Sequence, residues 1–226
     1  MTDHLAVSMR ASSLSARECM NRYSEHGFGR IQIDSLHPDF HDLTDSGRRD
    51  LVATLRRNGL RASGVDFLTT PTTWEQHIDE TIGGFVAAIS MAEVLGRVPV
   101  SVCVPEDEEI IETVIAIGAA AGVLVAANCT LPLENPNIAW GLPLALLAKE
   151  ERPMQTLARA TFGPIALRLS GDVLDRTTLE IHNDTIELTE LRGVLDAMRW
   201  NPVPVIDGSL DNACEIASAW QSAGPY

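Results

Sequence analysis

Short apolar runs alternate with longer segments of helical periodicity along the chain. Apolar residues spaced three and four apart predict helices, whereas short apolar or alternating runs predict strands. The predicted strands are residues 5–9, 30–36, 60–68, 99–104, 123–128, 165–170, 178–182 and 203–207. The predicted helices are residues 13–26, 44–58, 73–96, 106–121, 144–161, 187–200 and 212–223, and residues 129–143 are predicted to form a loop.

This alternation predicts a parallel sheet covered by helices. Eight strand–helix units favour a closed (β/α)8 TIM barrel, formed as a single α/β domain over residues 1–226. The open doubly wound sheet is the alternative, but neither GxGxxG nor GxxxxGK[ST] follows a predicted strand. About eight residues separate the sixth and seventh predicted strands, fewer than a parallel crossover needs, so we expect a reduced unit there.

The composition bears on partners and compartment. The 226 residues include 31 acidic and 17 basic ones, which gives a net charge of −14. Such a surface repels nucleic acid and anionic lipid, so we expect neither nucleic acid nor a membrane as partner. The start MTDHLAVSMR has no signal-peptide pattern and the four cysteines form no CxxC pair, so we expect a cytoplasmic protein with reduced thiols.

Several segments also resemble a known family in their order and sequence. They are residues 27–34, 43–49, 58–61, 92–96, 186–198 and 202–207. Together they resemble the xylose-isomerase-like barrels, which include sugar phosphate isomerases, tagatose-type epimerases, inosose dehydratases and endonuclease IV. The resemblance covers most of the chain. It implies a TIM barrel with a carbohydrate-like ligand (a small sugar, polyol or hydroxy-keto acid), and a homodimer is left open.

The resemblance implies a divalent metal held by Glu, Asp, His and Glu after strands five to eight. Mn²⁺, Mg²⁺ or Co²⁺ suits such ligands, and the metal would polarise a ketose while a flanking carboxylate moves a proton. The matching positions here carry Asn128, Ser170, His182 and Asp207. Two neutral side chains stand where carboxylates are implied. His182 and Asp207 are therefore the candidate metal ligands, and a protein without any metal is the alternative.

Polar residues near the predicted strand ends are candidates for function. We predict His182, Asp207 and Asp34 as catalytic residues. His37, with Asp39 and His41, forms either a ligand-contacting cluster, an alternative metal site or a polar turn. The predicted substrate-binding residues are His37, Asp66, Asn128, Ser170 and Trp140.

Structural alternatives accompany these assignments. Asp66 is otherwise a paired strand residue, and Trp140 either covers the barrel mouth or packs in a subunit interface. Cys103 and Cys129 are expected to pack as small apolar residues. Two functions follow for the chain. The first is a sugar phosphate isomerase or epimerase using metal-assisted proton transfer, and the second is a non-catalytic binding or partner protein whose metal site is lost.

Overall fold

The computed structural model describes residues 4–40 and 43–224. Within these residues, eight parallel strands form a closed barrel, each beside its chain neighbour, with the last strand between the seventh and the first. The predicted TIM barrel is therefore confirmed. The barrel strands are β1 (Ala6–Ser8), β2 (Arg30–Asp34), β3 (Arg61–Phe67), β4 (Val100–Val102), β5 (Val125–Asn128), β6 (Ala139–Pro143), β7 (Ala166–Leu169) and β11 (Val203–Ile206).

Helices surround the barrel. Several begin at a side-chain cap: Ser15, Thr44 and Ser209 each accept a backbone N–H from the residue three positions later, which satisfies a donor that the helix cannot pair. A short 3-10 helix covers Pro38–Phe40. The helices are α1 (Ala16–Glu25), α2 (Asp45–Arg57), α3 (Pro71–Gln76), α4 (Ile78–Val94), α5 (Glu108–Ala121), α6 (Leu144–Leu147), α7 (Pro153–Leu157), α8 (Leu188–Ala197) and α9 (Leu210–Ser222).

The sixth barrel strand lies where the sequence pattern predicts a loop. Ala139–Pro143 form β6, which pairs in parallel with β5 on one side and β7 on the other. The pattern misses this strand because glycine and proline interrupt its apolar residues and Pro-rich sequence precedes it. As a result, the predicted sixth strand, residues 165–170, corresponds to the seventh strand of the barrel.

The predicted seventh strand, residues 178–182, lies outside the barrel, so that assignment is wrong. A separate antiparallel sheet contains β8 (Asp172–Val173), β9 (Thr178–Ile181) and β10 (Asp184–Glu187). His182 and Asn183 connect β9 to β10 with φ of 54° and 72°. Two left-handed residues between two strands are typical of a type I′ hairpin turn. The short interval before β9 therefore belongs to a hairpin sheet and is not a parallel crossover.

The helical layer is reduced on both sides of β6. Residues 129–138, all of which the structure describes, connect β5 to β6 without a helix. The connection from β6 to β7 contains the short helices α6 and α7, whereas the reduced unit was expected between residues 170 and 178, which lead into the antiparallel sheet instead. Throughout the described part of the chain, every helix is too short or too polar to cross a membrane.

Outward-facing strand residues pack against the helices, while inward-facing residues fill the barrel. In β2, Ile31 and Ile33 are fully buried in the main apolar core, whereas Gln32 between them points into the barrel network described below. Ala6, Ala166 and Val205 form a separate small apolar cluster contributed by three adjacent barrel strands. Because side chains alternate along a strand, the polar residues that follow on these strands also face inward.

Candidate functional site

Five barrel strands each contribute one polar side chain to a buried hydrogen-bonded network. Each of these residues is flanked on its strand by buried apolar residues, so that alternation turns the polar side chain inward. A buried polar group needs a partner, and each of them finds it in another member of the set. The members are Ser8, Gln32, Asp66, Ser101 and Arg168.

Asp66 accepts hydrogen bonds from three different residues of this network. Arg168 donates from Nη1 to Oδ1 at 2.7 Å and from Nη2 to Oδ2 at 3.0 Å. Ser8 Oγ donates to Oδ2 at 3.0 Å, and Gln32 Nε2 donates to Oδ1 at 2.9 Å. The residue is completely buried. These donors use the acceptor capacity of the carboxylate, so we place Asp66 in the barrel interior and not against a substrate.

Arg168 joins Asp66 to Asp207, which follows the last barrel strand. Its Nη2 and Nε atoms donate to Asp207 Oδ2 at 3.0 and 3.3 Å. The Arg168 side chain is 4% exposed, whereas that of Asp207 is 21% exposed. Burial acts to lower the pKa of the guanidinium, but the carboxylates of Asp66 and Asp207 outweigh burial and raise it. Asp207 therefore does reach the barrel mouth as predicted, but as the partner of a permanent cation.

Above this network, polar side chains lie at the carboxyl ends of the barrel strands. Arg10 is exposed, Asp34 and Asn128 are half-buried, and Asp34 and Cys103 both experience the positive charge of Arg10. In TIM barrels this is the end at which ligands bind. We call these residues the mouth cluster: Arg10, Asp34, Cys103, Asn128 and Asp207.

Asp34 is the mouth carboxyl group whose protonation is perturbed. Burial raises its pKa, and the negative charge of Asp66 raises it further. The Leu36 N–H, which donates to Asp34 Oδ1 at 3.1 Å, and the charge of Arg10 oppose this rise. A carboxyl group in such surroundings takes up a proton more readily than an exposed one, which is a property of groups that exchange protons with ligands.

Asn128 supplies a hydrogen-bond acceptor that lacks a partner. Among the described residues, its Oδ1 atom is buried and receives no hydrogen bond. Gly141 lies opposite on β6, and a Cβ there would collide with this oxygen. The glycine therefore makes room for the amide. Because an unpaired buried acceptor is unfavourable, a hydroxyl group of a bound molecule would be a suitable partner.

A cleft of about 460 Å³ opens beside the mouth. Arg10 and Asp34 of the mouth cluster contribute to its wall, together with the serine-rich loop after β1, of which Ser12, Ser13 and Ser15 line the cleft. This size falls within the range of small-molecule sites in proteins. A cation, a carboxyl group and several hydroxyl groups give the cleft the chemistry to bind a small polar molecule.

His37 lines the same cleft, but its ring is committed to the protein. Nδ1 accepts from the Asp39 N–H at 3.1 Å, so Nε2 carries the proton that is donated to Leu14 O at 3.0 Å. Asp39 in turn accepts the N–H of Ala16 at 2.7 Å. Both predicted roles, substrate contact by His37 and a metal site with Asp39, therefore conflict with the geometry. His41, the third member of that predicted cluster, lies outside the described residues.

Two further predicted site residues are placed away from the mouth. His182 is exposed in the β9–β10 turn and does not follow a barrel strand. Trp140 is 1% exposed, donates from Nε1 to Cys129 O at 2.8 Å and packs edge-on against Trp200. It therefore packs in the core and does not cover the mouth. Ser170 follows β7 directly and is half-buried, and its predicted role in substrate binding stays a prediction.

The implied divalent metal does not fit these residues. Asn128 ends β5, Gly141 lies opposite it on β6 and Ser170 follows β7, so none of these positions carries a carboxylate. Asp207 is already bonded to Arg168. In residues 4–40 and 43–224, no three His, Cys, Asp or Glu side chains converge as a metal site. A divalent ion prefers anionic oxygen ligands, and the guanidinium beside Asp207 would repel it.

The sequence analysis missed Arg168 and Arg10. Arg168 is the one charged residue of β7, and its apolar neighbours Leu167 and Leu169 are fully buried. A single charge at an inward position of a barrel strand requires a buried counter-charge, and Asp66 has the same sequence environment. The sequence therefore indicates that both residues need a buried partner, but it does not say which partner each of them meets. Arg10 lies in a loop, where periodicity carries no information.

Comparisons with known proteins identify the fold. No family model and no curated protein sequence matches the chain.

A xylose isomerase domain protein from Planctomyces limnophilus is similar in structure, with 11% identity, a TM-score of 0.70 and coverage of 97% of this chain and 95% of that one. D-psicose 3-epimerase from Clostridium cellulolyticum H10, solved with D-tagatose, has 12% identity, a TM-score of 0.67 and 96% coverage of both chains. IOLI protein with a binding zinc atom has 14% identity, a TM-score of 0.67 and coverage of 97% and 93%. These likenesses show that the chain shares its closed (β/α)8 barrel fold with these proteins.

Proposed function

We propose that this protein binds a small polyhydroxylated molecule at the barrel mouth and does so without a metal ion. The ligand class is a sugar, a polyol or a hydroxy-keto acid. The observation that carries the proposal is the Arg168 guanidinium, which occupies the barrel interior between Asp66 and Asp207. It pairs with both carboxylates, so neither Asp66 nor Asp207 is free to hold a metal ion.

The chemistry of the mouth supports this ligand class. Arg10 is exposed and can hold a carboxylate or a carbonyl oxygen. Asp34 can accept from a hydroxyl group when ionised and donate to one when protonated. Asn128 Oδ1 can accept from another hydroxyl group. Hydroxyl, carbonyl and carboxylate groups are the partners that these three side chains can bind.

A second candidate is a metal-independent isomerase or epimerase, and the environment of Asp34 favours it. Burial raises the pKa of this carboxyl group, which lines a cleft together with Arg10. In this candidate, Arg10 orients the carbonyl of the substrate, and Asp34 takes a proton from the adjacent carbon and returns it to the former carbonyl carbon, while the hydroxyl proton passes to the former carbonyl oxygen. The fold shared with D-psicose 3-epimerase is compatible with such a reaction but does not specify it.

Thermal unfolding with a panel of ketoses, polyols and hydroxy-keto acids tests the binding proposal. A ligand at a hundred times its Kd stabilises a protein by about 2.7 kcal/mol. We expect one class to raise the Tm equally in EDTA and in Mn²⁺, Mg²⁺ or Co²⁺, and Arg10→Gln or Asp34→Ala to remove the shift. Arg56→Gln is the matched control, because Arg56 is exposed in the last turn of α2, away from the mouth.

Elemental analysis and product assays separate the alternatives. Stoichiometric metal in the purified protein, or ligand binding that requires a metal, would contradict the proposal. Interconversion of two sugars in EDTA, lost in Asp34→Asn but kept in Arg56→Gln, would establish the second candidate. An unchanged Tm across the whole panel would refute ligand binding at the mouth.

A further inference from the structure

A second pocket opens at the end of the barrel opposite the mouth. Its volume is about 220 Å³, and its wall includes three basic side chains and two tryptophans: Arg30, Arg192, His4, Trp200 and Trp220. Arg30 is the first residue of β2 and His4 precedes β1, so the pocket lies at the amino ends of the strands. In TIM barrels this end normally serves stability, whereas ligands bind at the other end. The pocket is therefore separate from the candidate site.

The guanidinium group of Arg30 has no partner in the described part of the chain. Arg30 is half-buried, yet its side chain forms neither a hydrogen bond nor an ion pair with residues 4–40 and 43–224. The residue paired with it on β3 is Arg61, which carries the same charge. A partly buried cation is unfavourable without a counter-charge. Arg30 therefore offers its N–H donors to a bound anion.

Arg192, in contrast, is held in position by Trp220. Its Nη1 atom donates to Trp220 O at 2.9 Å, and its guanidinium carbon lies 4.9 Å from the centre of the Trp220 ring. A guanidinium group has five N–H donors, so most of them stay available after this contact. Because the protein already fixes this side chain, little of its conformational freedom would be lost when a ligand binds.

The charge of the pocket differs from that of the whole protein. Asp196 is the one carboxylate that lines it, one helical turn after Arg192 on α8. Among the described residues, Asp196 and Arg192 do not form an ion pair. Two guanidinium groups and an imidazole thus accompany a single carboxylate, in a chain whose net charge is −14. Such a local excess of basic groups attracts anions.

We propose that this pocket binds the oxyanion group of a compact small molecule, either a phosphate or a carboxylate. Guanidinium groups bind both through short, charge-assisted N–H···O bonds. Sites for drug-sized molecules have volumes of about 300 Å³ or more, so the smaller volume here favours an ion the size of phosphate, pyrophosphate or citrate. Trp200 and Trp220 form low-polarity walls, beside which charges interact more strongly than in water.

Isothermal titration calorimetry at constant ionic strength tests this proposal. The probes are inorganic phosphate, pyrophosphate and citrate, which distinguish phosphate from carboxylate recognition. Arg30→Gln and Arg192→Gln should each weaken binding by about tenfold or more, because each removes a hydrogen bond from a charged donor. Asp196→Asn should tighten binding, since it removes the carboxylate that repels the anion. Arg159→Gln is the matched control, because Arg159 is exposed in the connection into β7 and does not line the pocket.

The pattern across these variants decides between a site and general attraction. Weakening in Arg30→Gln and Arg192→Gln, tightening in Asp196→Asn and no change in Arg159→Gln would support the proposal. Equal weakening in Arg159→Gln would overturn it, because any arginine on the surface would then suffice. If Arg192→Gln fails to fold, Arg30→Gln decides, since its side chain has no hydrogen bond to lose within the described residues.

Two further outcomes would overturn the proposal. The first is that none of the three anions binds at millimolar concentrations. The second is that binding is lost in Arg10→Gln and kept in Arg30→Gln, because the anion would then lie at the mouth. Anion binding at the amino end of the barrel does not depend on the ligand proposed for the mouth, so either proposal can fail alone.

Discussion

Arg168 and Asp66 form a two-point ion pair across the inside of the barrel, with Nη1–Oδ1 and Nη2–Oδ2 distances of 2.7 and 3.0 Å. They lie on β7 and β3, which are on opposite sides of the closed sheet. Removing two charges from water is unfavourable, and only well-matched hydrogen bonds offset that penalty. The bidentate geometry and the additional donors to Asp66 meet this condition, so the pair connects opposite walls of the barrel.

Removing the guanidinium should destabilise the protein strongly. Arg168→Met leaves the fully buried Asp66 without its counter-charge, and breaking a buried pair from one side typically costs about 3–5 kcal/mol. Urea unfolding monitored by circular dichroism measures the change. The double variant Asp66→Asn/Arg168→Met removes both charges and should recover part of the loss. A loss below about 1 kcal/mol in Arg168→Met would show that the pair contributes little.

Gly171 should not tolerate a side chain. Its φ is 107°, and a Cβ there would collide with the carbonyl oxygen of Glu180 on β9. We expect Gly171→Ala to lower the free energy of unfolding by about 2 kcal/mol or more, because backbone strain and backbone contact cannot be relieved by a rotamer change. Gly193→Ala on α8 is the control, since nothing lies within 4 Å of the added Cβ. It should be neutral or stabilising, and equal effects of the two substitutions would contradict this account.

The stability contributed by Asp34 should fall as pH rises. Burial raises its folded-state pKa above the ordinary value of 3.8. At pH values between the unfolded-state and folded-state pKa, the Asp34 carboxyl group therefore binds more protons in the folded protein than in the unfolded one. Stability is therefore lost as pH rises through this window, and the loss persists above the folded pKa. Asp34→Asn removes the effect. Urea unfolding from pH 3 upward should show this variant gaining stability relative to wild type as pH increases.

Asp175 offers a control of opposite sign for that experiment. The Thr177 N–H and the Thr178 hydroxyl lower the pKa of its carboxyl group in the folded protein. Asp175 therefore stabilises the fold at pH values above its unfolded-state pKa, and this stabilisation is lost as pH falls through its folded-state pKa. Asp175→Asn should lose stability relative to wild type as pH increases. If the free energies of unfolding of the two variants, each relative to wild type, changed in the same direction with pH, the opposite pKa shifts assigned to Asp34 and Asp175 would be contradicted.

The thiol of Cys129 should react slowly. Burial, together with the nearby Cys103, raises the pKa of Cys129 to about 11. At pH 8 about one molecule in a thousand would carry the reactive thiolate. Alkylation by iodoacetamide, followed by mass spectrometry of the Cys129 peptide, should therefore be far slower in native protein than in urea. Equal rates in the two conditions would exclude this environment.

Periodicity was sufficient to predict the barrel class but not the identity of every strand. Apolar runs such as residues 123–128 and 203–207 correspond to β5 and β11, because strands buried on both faces require continuous apolar sequence. The β6 strand was not predicted because it contains Gly141 and Pro143, which interrupt the apolar pattern. Gly141 is needed to make room for Asn128, and Pro143 precedes the first residue of α6. Those are tertiary constraints that a linear pattern does not contain.

The candidate site was less predictable for a related reason. Asp207 and Asn128 follow barrel strands as expected, and Asp34 ends β2. The prediction placed His182 at the end of a barrel strand because apolar and polar residues alternate along β9 and β10, as they do along a half-buried strand. The pairing of Arg168 with Asp66 spans 102 residues, and no local signal specifies which distant carboxylate a buried arginine meets.

The β9–β10 hairpin offers a practical entry point for protein engineering. His182 and Asn183 are exposed, adopt left-handed backbone conformations and belong to a sheet that is separate from the barrel. Exposed turns between paired strands tolerate added sequence better than any part of a closed sheet. An affinity tag, a fluorescent reporter or the new termini of a circular permutant could be placed between these two residues while every barrel strand keeps its neighbours.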